Sequence, residues 1–182
     1  MAWAVQFGSG VRQRGFTLVE ILVAVALIGI LAAVAVLTFG KQARKARGAE
    51  ANAMFGALRI AQEQYHLENG TYLSTGASET DIFPPTPTKS SQPFTPMPAT
   101  WVSARVDLPN DKGYCGYVVR AGRGGDGTNL GPKAAEFGLN AAPVTDWYYL
   151  LARCDLDGSA TRDTYYFSWS GDTRLQKQNE GY

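Results

Sequence analysis

The chain has 182 residues and a formal net charge of +1, with 17 Lys and Arg against 16 Asp and Glu, so no overall basic field exists to recruit nucleic acid. Its length suits one compact domain plus a membrane arm, and 8 Phe, 4 Trp and 9 Tyr supply the bulk of a core. A single histidine, two cysteines and scattered serines leave no nucleophile paired with a base, which argues against an enzyme.

Residues 1–7 are mildly apolar, and Arg12 and Arg14 come directly before Gly15. No Ala-x-Ala cleavage site follows the apolar run, so that run is expected to stay on the protein. It covers residues 16–39 and is interrupted only by Thr17, Glu20 and Thr38. At about 1.5 Å per residue a helix of this length is roughly 36 Å long, enough to cross a hydrocarbon core of about 30 Å. Glu20 is the anomaly in it. An ionisable group inside a membrane segment costs at least about 2.5 kcal/mol and marks a functional site.

The stretch Gly15-Phe16-Thr17-Leu18-Val19-Glu20, with the apolar residues that follow through Ala33, resembles the processing and assembly motif of the type IV pilins, a family that includes the pseudopilins of type II secretion. The resemblance implies an α+β fold in which a long N-terminal helix packs its second half on a C-terminal antiparallel sheet. It implies cleavage after Gly15 by a prepilin peptidase, N-methylation of Phe16, and Glu20 as the carboxylate that helps subunits pack into a filament. Other pilin subunits, an inner-membrane assembly platform and membrane lipid before assembly are the implied partners. The implied location is the bacterial inner membrane, with the C-terminal domain outside the cytoplasm, and then a surface pilus. A secretion pseudopilin and a minor pilin for DNA uptake or adhesion are the alternatives. Many filament-forming pilins carry a proline near residues 35–39; Leu37 stands there, which predicts a straighter helix.

On these readings residues 1–15 form a leader, 16–39 the membrane and assembly half of the helix, 40–69 its amphipathic half, 70–100 a proline-rich connection and 101–182 a sheet domain. Lys41, Arg44, Lys45 and Arg47 follow the apolar run directly. Such a cluster favours the cytoplasmic side and so competes with Arg12 and Arg14; the resemblance puts the leader inside. Ala51, Met54, Phe55, Leu58, Ala61 and Tyr65 recur at helical spacing and need a sheet to cover them. Asn69-Gly70 supplies the stop. His66 reads as a helix-surface residue. Six prolines between residues 83 and 98 exclude helix and central strand, giving a long surface loop.

Residues 101–107, 113–120, 146–154, 164–170 and 173–178 are aromatic or β-branched runs separated by turn residues, which predicts an antiparallel meander. Alternation puts Cys115, Tyr117 and Val119 on one face, and Tyr148, Leu150, Ala152 and Cys154 on one face. Neighbouring strands would then allow a Cys115–Cys154 disulfide, if the domain sits in an oxidising compartment. Gly122-Arg123-Gly124-Gly125-Asp126-Gly127 fits a dinucleotide fingerprint by letter, but no helix opens at its third glycine. No cofactor is expected. Asp155, Asp157 and Asp163 around Gly158 offer oxygen ligands of the kind calcium takes, while an Asp-Gly hairpin turn needs no metal.

Overall fold

The structure is a computed structural model and describes residues 15–159 and 161–180. Arg12, Arg14 and the rest of the expected leader before Gly15 lie outside those residues, as does the side chain of Leu37. The chain divides into two units, one ending at Phe39 and one beginning at Gly40.

Helix α1 (Leu18–Gly48) runs without interruption, with Glu20 in its first turn and Lys45 and Arg47 in its last. Both signs suit the helix dipole. Helix α2 (Glu50–Asn69) starts after one intervening residue and ends at Gly70, whose φ of 71° lets its N–H reach the His66 carbonyl. A residue with a Cβ would be strained in that left-handed turn. The predicted stripe on α2 is buried at Ala51, Met54, Phe55, Leu58 and Ala61, and Tyr65 is half-buried.

Four antiparallel strands make the sheet: β3 (Cys115–Gly122), β4 (Trp147–Cys154), β5 (Thr164–Trp169) and β6 (Asp172–Gln178), paired in that order. Cys115, Tyr117, Val119 and Ala121 of β3 stand opposite Cys154, Ala152, Leu150 and Tyr148 of β4, and this face packs with the α2 stripe into one core. The sheet is also covered on its other face. Val118, Trp147, Tyr149, Leu151 and Phe167 meet Ile82, Ala134 and Leu139 in a second core. Ala134 belongs to α4 (Pro132–Glu136), a short helix in the β3–β4 connection. Glu79 fixes it: its carboxylate accepts from the N–H groups of Lys133 and Ala134 and from the Tyr149 hydroxyl.

Two expectations are corrected. Residues 101–107 do not form a strand; helix α3 (Ala99–Ser103) occupies their start, opening at Pro98. Trp101 and Ala104 are buried three residues apart while Val102 is 60% exposed, a helical rather than an alternating pattern. The proline-rich connection is not a simple surface loop either. It runs along the open edge of β3, where Phe83 and Tyr117 exchange backbone hydrogen bonds and Thr75 N–H donates to the Val119 carbonyl. A two-residue ribbon joins it to the sheet end, β1 (Gln92–Pro93) with β2 (Lys112–Gly113), and Phe94 and Ile82 enter the cores. Gly116 permits the close approach, since a Cβ there would strike the Pro84 carbonyl and Ile82. The segment thus covers a sheet edge that would otherwise invite pairing with another chain.

Candidate processing and assembly site

Gly15 and Phe16 precede the first turn of α1. Among the described residues a Cβ built on Gly15 meets nothing within 4 Å. Phe16 is 78% exposed. Thr17 caps the helix: the Glu20 N–H donates to Thr17 Oγ1 at 3.2 Å, and the Thr17 N–H points to Glu20 Oε2 at 3.5 Å. The pair is a capping box, which satisfies two backbone donors that the helix itself leaves open. Part of the anomaly of Glu20 is therefore local. The Thr-x-x-Glu spacing that announces it is present in the sequence, so Thr17 was a findable residue.

The span Leu18–Ala35 is long and apolar enough to cross a membrane, and none of it is buried in the structure. Leu18, Leu22, Val25, Ile28 and Leu31 are each more than half exposed. Apolar patches on soluble monomers seldom exceed a few hundred Å². An arm of this kind is a surface that must be covered, by lipid or by protein.

In the second unit, Cys115 and Cys154 form a disulfide at the first register pair of β3 and β4. Beside it Glu50, the first residue of α2, directs its carboxylate into the β2–β3 junction. Both oxygens lie 3.1 Å from the Tyr114 N–H, and the Tyr117 hydroxyl donates to Oε1 at 2.7 Å. Burial raises the Glu50 pKa above its ordinary value, against the lowering effect of the hydrogen bonds from Tyr117, Tyr114 and Cys115. Burial, reinforced by the Glu50 charge, also lifts the Tyr117 phenol well above its usual range. Gln62 is another buried polar anchor: its amide accepts from the Leu73 N–H and donates to the Leu73 carbonyl. Nothing in the local sequence marks Glu50 or Gln62, because their partners lie beyond the helix.

The remaining motifs serve local structure. Asp155 Oδ1 accepts from the Gly158 N–H at 2.7 Å and Asp157 Oδ1 from the Ser159 N–H at 2.8 Å. Asp163 sits 3.5 Å from Arg153; burial raises its pKa, Arg153 opposes the rise, and the charges of Asp155 and Asp157 add to it. Among the described residues no three His, Cys, Asp or Glu side chains converge as a metal site. The glycine-rich stretch is a turn in which the Gly124 N–H bonds Asp146, and α4 begins only at Pro132. His66 is half-buried rather than on the open surface, stacked on Tyr72 with ring centroids 4.3 Å apart.

Residues 11–36 match the prokaryotic N-terminal methylation motif. The chain is 43% identical over 61 residues to a type IV major pilin protein of Myxococcus xanthus, a match covering 34% of this chain and 28% of the relative. It is 40% identical over 67 residues to the type II secretion system core protein G of Pectobacterium carotovorum, covering 37% and 43%. It is 36% identical over 75 residues to a fimbrial protein of Neisseria meningitidis, covering 38% and 44%. The chain spans less than half the length of each of these relatives. No solved structure gives a significant match. On the methylation motif and the matches around it, the N-terminal part of the chain is similar to type IV pilins and to a type II secretion core protein.

Proposed function

We propose that this chain is a structural subunit of a type IV pilus-like filament, inserted in the membrane by its N-terminal arm, cleaved after Gly15, methylated on Phe16 and polymerised through α1. The observation that carries the reading is an apolar helix with a capped carboxylate at its first turn and, over Leu18–Ala35, no buried residue among the described ones. In a filament, the arms of neighbouring subunits would replace lipid around it. A cationic Phe16 amine, with an ordinary pKa near 8, would offer Glu20 a partner away from water, which favours staggered subunits over free ones because a buried charge without a partner costs several kcal/mol. The other partners proposed are a prepilin peptidase and a membrane assembly platform. A second reading, the pseudopilus of a secretion machine, draws on the likeness to core protein G.

Shearing cells and analysing the released fibres tests the first reading. The expected result is abundant chain in the fibres beginning at methylated Phe16, with the Gly15→Val precursor uncut and absent. Fibres that lack the chain, with secretion lost when it is deleted, would transfer the assignment to the pseudopilus.

A further inference from the structure

Residues 21–49 carry four cations, Lys41, Arg44, Lys45 and Arg47, and not one acid; Glu20 and Glu50 bracket the run. The cations begin six positions after Ala35, the end of the apolar span. Positions 41, 44 and 45 share one face of α1 by helical spacing. Arg47 is engaged with its own unit, donating to the Leu156 carbonyl at 3.3 Å and lying 5.3 Å over the Tyr114 ring. Lys45 is exposed and borders an open groove of about 390 Å³ shared with Asn52, Leu175 and the Lys177–Glu180 ion pair. On the proposed topology this cluster crosses the membrane against the usual preference of Lys and Arg for the cytoplasmic side, a cost that calls for a compensating partner.

We infer that Lys41 and Lys45 form a collar that binds the anionic headgroups of phospholipids in the leaflet from which the arm emerges. The inference rests on the membrane-inserted state proposed above. Lys and Arg lay their methylene stems along apolar chains and extend their charges to the phosphate level, where residues just beyond a span are placed. Cations held within a Debye length of an anionic surface, about 8 Å at physiological salt, are attracted to it individually and additively. Headgroups need no docking geometry to reach the collar, since it follows the span along the same chain. A subunit leaving the bilayer gives these contacts up, so the anionic lipid content would set how firmly the unassembled pool is held.

The test is full-length chain reconstituted in phosphatidylcholine vesicles with trace spin-labelled phosphatidylglycerol or phosphatidylcholine, read by electron paramagnetic resonance. About fivefold preferential association of phosphatidylglycerol is expected at low salt, falling toward parity in 1 M salt and in the K41Q/K45Q variant. Incorporation with equal association of the two lipids, or a preference unchanged in K41Q/K45Q, overturns the inference and leaves the membrane reading standing. A preference that appears only as subunits are crowded assigns the collar to a second copy and overturns it as well. Failure of the chain to enter vesicles overturns both.

Discussion

Replacing both disulfide cysteines with alanine isolates what the bridge contributes. Cys115 and Cys154 are 39 positions apart and 1% and 0% exposed. They close the end of the β3–β4 ladder opposite Gly122 and Trp147, so the bridge removes unfolded-state freedom from the whole segment between them. On the chain-entropy model a loop of this size corresponds to about 4 kcal/mol. The folded side changes little, because the two alanines remain in an apolar layer and Glu50 still binds the Tyr114 N–H next to the vacated position. For a domain of this size each kcal/mol moves Tm by about 3–5 °C, so C115A/C154A is expected to melt about 12–20 °C below the oxidised protein. Calorimetry of the full chain in detergent, with and without reductant, provides the measurement. Reductant should lower Tm of the unmodified chain toward that of the variant and leave the variant unmoved. A variant melting within about 3 °C of the oxidised protein would refute the reasoning, and so would a reductant effect that persists without the cysteines.

Glu50 provides a pH signature. Its folded pKa lies above the ordinary 4.5, so its titration favours the folded state at low pH and that contribution is lost as pH rises through the folded value; the Tm difference between the unmodified chain and E50Q should therefore become less favourable to Glu50 between about pH 4.5 and neutrality, and a flat or rising difference contradicts this. Glu20 can be divided into its two roles by E20Q, which keeps an oxygen for the Thr17 N–H but loses the charge, and E20V, which loses both. Both variants are expected in membranes at normal levels and depleted from sheared fibres by at least about tenfold; wild-type incorporation of E20Q would leave the capping box as the whole function of the residue.

The elements that could be read in advance are those whose information is periodic and local. The α2 stripe from Ala51 to Ala61, the stop at Asn69-Gly70 and the alternation that set Cys115 opposite Cys154 each follow from a repeat of 3.6 or 2 and a turn residue. What escaped was set at a distance. Trp101-Val102-Ser103-Ala104 has strand-like composition, but Pro98 opens a helical turn there and the core takes Trp101 and Ala104 together. The proline count of residues 83–98 correctly excluded a central strand and said nothing of the edge role, which depends on Gly116 in β3 leaving room for Ile82 and Pro84. The burial of the second sheet face arises from Glu79 holding α4 through contacts more than 50 residues apart. At the candidate site the carboxylate was legible as an anomaly, while its cap was written three residues earlier in Thr17.

Among the described residues, both cores are built from residues at or after Ala51. The covering of the arm can therefore change from lipid to neighbouring subunits without disturbing the packing that stabilises the second unit. This division separates two energetic problems. The second unit is stabilised within one chain, by a sheet buried on both faces, an edge closed by the proline-rich segment and a disulfide at the ladder's end. The described apolar residues of the arm are exposed as a group, and transfer between two apolar surroundings gives little hydrophobic free energy in either direction. Helix packing and lipid entropy then act on such an exchange together with the polar groups at the ends of the run, Glu20 on one side and the cations from Lys41 onward on the other. On the proposed reading, Glu20 favours the filament by gaining an amine, and the collar favours the bilayer by holding phosphate. The balance between a membrane pool and a fibre then depends on a few charges as well as on the packing of the long apolar surface between them.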